Sequence, residues 1–176
     1  MKFLKLILAM LMVTIIISSC KKEPAYDAEK QLAADEVTIK AFLANNNITA
    51  QTHPSGIYYV LSSPGTGSYP YSDLNTTSIT VKYSGKLLSG HEFDSNTTGV
   101  TFGPPQFPNG LNNLIDAWKV AMAPKADGGI VEGGLQNGGR IRIITPSLYG
   151  YGPNPTGSIP ANSILDFEIE LIEVKN

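Results

Sequence analysis

Three stretches of the chain alternate apolar and polar residues one by one, and this alternation restricts the possible folds more than any other feature. Residues 79–83, 140–143 and 165–171 place a branched or aromatic side chain at every second position. A strand with this period turns one face to a core and the other to solvent. If the last two strands are neighbours, the arginines of 140–143 would meet the acids of 166–170 across the sheet.

A helix is predicted to pack against these strands. Within residues 111–123, large apolar residues fall at i, i+3, i+4, i+7 and i+11, which gives one apolar stripe. Its members are Leu111, Leu114, Ile115, Trp118 and Met122. Pro124 follows the predicted end of the helix. Strands with polar outer faces and one short apolar helix predict an α+β fold, with an antiparallel sheet packed over the helix.

The first nineteen residues are predicted to be a signal peptide that takes no part in the fold. Lys2 and Lys5 precede an apolar run over 6–17, which is shorter than the ~20 residues a membrane span needs. Cys20, the only cysteine, follows at once, and Ile17-Ser18-Ser19-Cys20 resembles a bacterial lipobox. The resemblance implies cleavage before Cys20 and a stable anchor of several acyl chains on that residue. An ordinary signal peptide that leaves a free thiol is the alternative.

The rest of the chain divides into a tether (20–26), an N-terminal helix with its linker (27–54) and one domain (55–176). We expect the helix to act as a spacer, with packing on the domain as the alternative. Lys21 stands where many lipoproteins retained in the inner membrane have an acid, so the outer membrane is expected, on its periplasmic or surface face. Without Lys2 and Lys5 the formal net charge is near −4, which argues against a nucleic-acid partner.

Neither covalent catalysis nor metal chemistry has a credible set of residues. His53 and His91 lack the spacing of metal ligands. No Gly-x-Ser-x-Gly motif occurs, and the only cysteine is assigned to lipid. The glycine pairs between 128 and 139 are not followed by Lys-Ser/Thr, so they indicate turns instead of a phosphate loop. We therefore expect no metal and no cofactor.

A hairpin around Ser89-Gly90 carries a charge that a pure core would not need. A turn there places Asp94 across from Gly85 and diagonally beside Tyr83 on the same face. Phe93 would point to the opposite face unless the strand bends or bulges. The residues thus indicate a pocket lined by aromatic rings and a carboxylate, with simple core packing of the rings as the alternative.

Five segments resemble, in order, successive motifs of the FKBP-type peptidyl-prolyl cis-trans isomerases. They are VKYSGKLLSGHEFDSN, LIDAWKVAM, GGRIRIITP, YGYGPNPTGSIPANSIL and DFEIELIEV, within residues 56–174. The resemblance implies an antiparallel sheet wrapped around a short helix. It also implies isomerisation of X-Pro bonds in unfolded or partly folded polypeptides that contain proline. A macrolide inhibitor could occupy such a site.

By the same resemblance, the family's pocket residues map onto positions of this chain. The implied catalytic residues are Tyr83, Phe93, Asp94, Trp118, Tyr149 and Phe167. The implied substrate-binding residues are Val100, Phe102, Leu114, Ile115 and Ile159. Val100 stands where an aromatic residue is usual, and Ser158 where many members have a large apolar one. Two alternatives remain, a non-catalytic chaperone or binding module on a lipoprotein anchor, and a purely structural surface lipoprotein.

Overall fold

The computed structural model describes residues 25–176, and these contain one six-stranded antiparallel sheet. The strands are β1 (Gln51–Thr52), β2 (Tyr58–Ser63), β3 (Ser78–Leu87), β4 (Glu92–Phe102), β5 (Arg140–Thr145) and β6 (Leu165–Lys175). Their order across the sheet is β1-β2-β5-β6-β3-β4. The predicted signal peptide and the lipid site at Cys20 lie outside the described residues. Within 25–176, no helix is both long and apolar enough to cross a membrane.

The N-terminal helix, α1 (Ala28–Asn45), packs against the domain. Asp27 begins it, because its carboxylate accepts a hydrogen bond from the Lys30 N–H at 3.0 Å. The buried residues of this contact form a second hydrophobic core, comprising Ile39, Leu43, Tyr58, Ile144 and Ile164. The helix itself is confirmed. The expectation that it is a spacer is wrong, because Ile39 and Leu43 are buried against β2, β5 and the chain just before β6.

The apolar stripe predicted as one helix is divided between two elements. A 3-10 turn spans Gly110–Asn113, and α2 spans Asp116–Met122. Leu114 and Ile115 between them have ψ angles of 160° and 151°, so the prediction of one helix over 111–123 is wrong.

Contacts with a distant loop account for this break. The Leu111 N–H donates to the Leu74 carbonyl at 2.9 Å, and Asn112 Nδ2 donates to Asn75 Oδ1 at 2.9 Å. These bonds hold the 3-10 turn against residues 73–77. The stripe nevertheless faces one core: Leu111, Trp118 and Met122 are buried in it, and the two extended residues pack at its edge.

The predicted charge pairs of the outer face are present, because β5 and β6 are neighbours. Arg140 donates to Glu170 at 2.9 Å. Arg142 donates to both carboxylate oxygens of Asp166, at 2.9 and 2.7 Å. Such a bidentate pair restricts geometry as well as adding energy. The predicted α+β class, an antiparallel sheet around a short helix, is confirmed.

Candidate active site

The hairpin formed by β3 and β4 has the predicted register. Gly85 pairs with Asp94, and Tyr83 pairs with Asn96. Asp94 therefore lies diagonally beside Tyr83, and the Tyr83 hydroxyl donates to Asp94 Oδ2 at 2.7 Å. A phenol and a carboxylate are thus fixed together on the exposed edge strand of the sheet and its neighbour.

A β-bulge in β4 determines where Phe93 points. The pairing passes from Gly85–Asp94 directly to Lys86–Glu92, so Phe93 is the extra residue. Its ring turns toward the core and meets Phe167 edge-on, with centroids 5.6 Å apart. Gly85 makes room for this, because a Cβ at that position would lie 2.7 to 2.8 Å from atoms of both rings.

Trp118 joins the aromatic side chains into one cluster. Tyr83, Phe102 and Phe167 meet its indole with centroid distances of 5.1, 5.7 and 5.6 Å and interplanar angles of 80° to 90°. Edge-to-face packing of this kind is favourable beyond the area it buries. Trp118 is 5% exposed. Its indole therefore lies at the base of the group, and the rings of Tyr83, Phe93 and Phe102 are only half-buried. We call this group, with Phe93, the aromatic cluster.

Tyr151, which was not among the predicted site residues, lies close enough to Asp94 for the charge of that carboxylate to act on its hydroxyl. Burial raises the pKa of the Tyr151 hydroxyl, and the nearby Asp94 charge raises it further. Burial likewise raises the pKa of Tyr83, with added contributions from the hydrogen bond and charge of Asp94 and from Tyr151. Both phenols therefore stay protonated, and available as donors, well above neutral pH.

Tyr149 is the tyrosine that the resemblance implies in the connection between β5 and β6, residues 146–164, which we call the late loop. It is half-buried against the larger hydrophobic core, which contains Leu111, Trp118 and Met122 and which we call the main core. Its part in the site stays a prediction. Tyr149 and Tyr151 are separated by one glycine, so the sequence offers the same signal for both, and only the field of Asp94 distinguishes them.

The remaining predicted residues lie around the main core. Phe102 is in the aromatic cluster. Its ring also meets that of Phe107, which was not among the predicted site residues, with centroids 5.3 Å apart. The others pack on the main core and are Val100, Leu114, Ile115 and Ile159. Of these, Ile159 is buried, and its backbone pairs with Thr156 inside the late loop. Their contact with a substrate stays a prediction.

The surroundings of the aromatic cluster hold few charges. Residues 95–115 and 147–165 contain no Asp, Glu, Lys or Arg. Among residues 25–176, Asp94 has no ion-pair partner, and no group of three or more His, Cys, Asp or Glu is placed to hold a metal ion. The chemistry available is therefore that of an apolar surface with a carboxylate and phenols at its edge.

Comparison with known sequences gives consistent matches. A family model described as FKBP-type peptidyl-prolyl cis-trans isomerase matches residues 73–172. The FKBP-type peptidyl-prolyl cis-trans isomerase FkpA of Buchnera aphidicola subsp. Schizaphis graminum is 36% identical over 124 residues, which cover 69% of this chain and 42% of that protein. The FkpA of Aeromonas hydrophila is 31% identical over 153 residues, 84% of this chain and 50% of that protein. The chain thus spans half or less of the length of these relatives.

Solved structures with a similar fold include FkpA from Escherichia coli, with a TM-score of 0.61 and 26% identity over 84% of this chain and 62% of that one. A peptidyl-prolyl cis-trans isomerase from Pseudomonas syringae pv. tomato has a TM-score of 0.58 and 28% identity, and the match covers 87% of this chain and 99% of that one. Both matches extend beyond residues 73–172, the segment that the family model covers.

Proposed function

The chain belongs to the FKBP-type peptidyl-prolyl cis-trans isomerases, and on this basis we propose that it accelerates rotation of X-Pro bonds in exported polypeptides. The observation that carries the proposal is the Tyr83–Asp94 pair at the edge of the aromatic cluster around Trp118. An apolar floor with a polar edge suits a substrate whose proline ring is apolar and whose flanking carbonyls are polar.

Catalysis by such a site requires no covalent step. Rotation about a peptide bond has a barrier of about 18–20 kcal/mol, because amide resonance is lost in the twisted state. The planar amide is the more dipolar form, so water stabilises it over the twisted form. Burial of an unpaired amide costs about 2–7 kcal/mol, and a barrier lowered by about 5.5 kcal/mol gives a rate increase of roughly 10⁴. Desolvation by the aromatic cluster is therefore of the right order.

The residues take separate parts in this mechanism. Trp118 forms the floor for the pyrrolidine ring, with Phe102 and Phe167 at its sides. Tyr151 donates a hydrogen bond to a substrate carbonyl, and burial together with the nearby Asp94 charge raises the pKa of its hydroxyl. Asp94 also orients Tyr83 and interacts with the carbonyl carbon of the rotating bond.

Asp94→Asn is expected to lower kcat/KM by about tenfold, equivalent to ~1.4 kcal/mol of transition-state stabilisation. The amide keeps the shape and an acceptor for the Tyr83 hydroxyl, so the loss reports the charge alone. The measurement is isomerisation of a chromogenic X-Pro peptide. The matched control is Glu92→Gln, an exposed acid on the same strand that bonds Ser95 at 2.7 Å, and it should keep wild-type activity. An Asp94→Asn enzyme as active as wild type would remove Asp94 from the mechanism.

Proline-limited refolding of a model protein tests the activity as a whole. The purified full-length protein should accelerate the slow phase in proportion to its concentration. The alternative, a binding module without turnover, predicts suppressed aggregation of a proline-free client and an unchanged slow phase. Val100 and Ser158 favour that alternative slightly, because each replaces a larger apolar side chain of the family pattern.

We also propose that Cys20 is lipidated and holds the domain at the cell envelope, on the outer membrane. The support is the pattern of residues 1–20, since these lie outside the described part of the chain. Cys20→Ser is expected to abolish incorporation of labelled palmitate and to move the protein from the membrane to the soluble fraction. Label retained by Cys20→Ser would overturn the proposal, and Ser19→Ala, which keeps a small residue just before the cysteine, is the control that should still be labelled.

A further inference from the structure

The N-terminal helix is tied to the late loop of the domain through one buried carboxylate. Asp35 on α1 is 3% exposed. Its Oδ2 accepts the Ser147 backbone N–H at 2.8 Å and the Ser147 hydroxyl at 2.7 Å, and its Oδ1 accepts Gln31 Nε2 at 2.8 Å. A carboxylate is tolerated in such a place only when it is well bonded. Two of these bonds hold Asp35 and Ser147 together, and the third, from Gln31, satisfies the other carboxylate oxygen.

Ser147 in turn holds the backbone on both sides of Tyr151. Its carbonyl accepts the N–H of Gly150 at 3.0 Å and the N–H of Gly152 at 2.9 Å. The Gly152 carbonyl accepts the Asn162 N–H at 2.7 Å, which closes the base of the loop. The N–H and hydroxyl of Ser147 thus bond to the helix, and its carbonyl bonds to the segment that carries Tyr151.

We propose that Asp35 is a positioning residue, which through Ser147 fixes the backbone that presents the Tyr151 hydroxyl to substrate. The proposal rests on the isomerase function proposed above and on the part of Tyr151 in it. It makes α1 part of the working site, although the family model begins only at residue 73. The competing explanation is that the Asp35–Ser147 contact only adds stability.

Asp35→Ala leaves the N–H and hydroxyl of Ser147 without their acceptor. We expect kcat/KM to fall about three- to tenfold, the range for loss of one or two hydrogen bonds that hold a donor in place. In a Tyr151→Phe background the same change should have a much smaller effect, because the hydroxyl it positions is already gone. The amide NMR signals of Gly150 and Gly152 should shift in Asp35→Ala.

Two further variants separate positioning from stability. Asp35→Asn should restore both activity and the two glycine signals, because its amide oxygen can accept from Ser147 while Gln31 rotates to accept from the amide nitrogen. Glu36→Gln changes the neighbouring exposed acid and should leave kcat/KM and the two glycine signals unchanged. Should Asp35→Ala not fold, Ser147→Ala removes only the hydroxyl bond and gives a milder form of the same two effects.

Two results would overturn the proposal. In the first, Asp35→Ala lowers Tm but keeps wild-type kcat/KM and glycine signals below Tm. In the second, its effect on kcat/KM is undiminished in the Tyr151→Phe background. A wild-type protein without isomerase activity would refute the proposed function instead, and the glycine signals would then still show whether Asp35 holds the loop.

Discussion

Replacement of Trp118 by leucine is expected to lower kcat/KM for X-Pro isomerisation by roughly 10- to 100-fold, or about 1.4–2.7 kcal/mol of transition-state stabilisation. The indole is the one ring that packs edge-to-face with Tyr83, Phe102 and Phe167 among the described residues. Leucine keeps the position apolar but removes the flat surface on which the pyrrolidine ring would rest. Three partner rings also lose their common neighbour, so they are no longer held apart.

Stability must be measured beside activity, because the same change leaves space in the core. Large-to-small changes at buried aromatic sites cost about 3–5 kcal/mol when alanine is introduced, and leucine should cost less. The control is Phe107→Leu, since Phe107 meets Phe102 at the edge of the cluster. It should lose stability without a comparable loss of kcat/KM. Equal activity losses in the two variants would mean that the cluster is core packing and not a floor for substrate.

The wild-type protein offers an independent check on this assignment. Trp118 is the only tryptophan in the chain, so tryptophan fluorescence reports the environment of this one side chain. A saturating proline peptide should change the emission, and the same peptide with alanine in place of proline should not. Emission that is the same with both peptides would contradict the assignment of Trp118 as the floor.

The sequence predicted contacts that follow from strand period and turn position. A two-residue turn at Ser89-Gly90 and a regular ladder predict the pairing of Gly85 with Asp94. The structure reaches the same pairing by another route: the Leu87 N–H donates to the His91 carbonyl at 2.9 Å across a three-residue turn, and the bulge at Phe93 restores the register. The contacts of Arg140 and Arg142 with acids of β6 required only that the two strands be neighbours. In both cases the side-chain period of two determines which residues face each other once the register is known.

The features that sequence could not predict depend on distant partners. The bulge at Phe93 places that ring beside Phe167, which lies more than seventy residues later in the chain. The division of the 111–123 stripe comes from hydrogen bonds to Leu74 and Asn75, and a stripe has the same period whether or not its helix is broken. Tyr151 is distinguished from Tyr149 by its proximity to Asp94, which belongs to a strand more than fifty residues earlier in the chain.

The docking of α1 was missed for a related reason. Its large apolar residues are few, and Asp35 would count as a solvent-facing acid in any pattern read from the helix alone. The structure buries that acid because Ser147, 112 positions away, supplies two donors. A hydrogen bond between distant segments does not alter the apolar periodicity of either one, so the pattern of the sequence cannot predict it.

Ile39→Ala is the change that tests whether α1 and the domain are one folding unit. Ile39 is fully buried in the second hydrophobic core, so its truncation is expected to lower the free energy of unfolding by about 2–5 kcal/mol. The matched control is Val37→Ala on the same helix, where the side chain is 70% exposed, and it should stay within about 0.5 kcal/mol of wild type. Urea unfolding followed by the fluorescence of Trp118, which lies in the other core, gives the measurement.

If the midpoint seen at Trp118 falls in Ile39→Ala but not in Val37→Ala, the helix and the sheet unfold together. An unchanged Trp118 transition in Ile39→Ala would show that α1 leaves the domain independently, and would also weaken the basis for a link from Asp35 to the late loop.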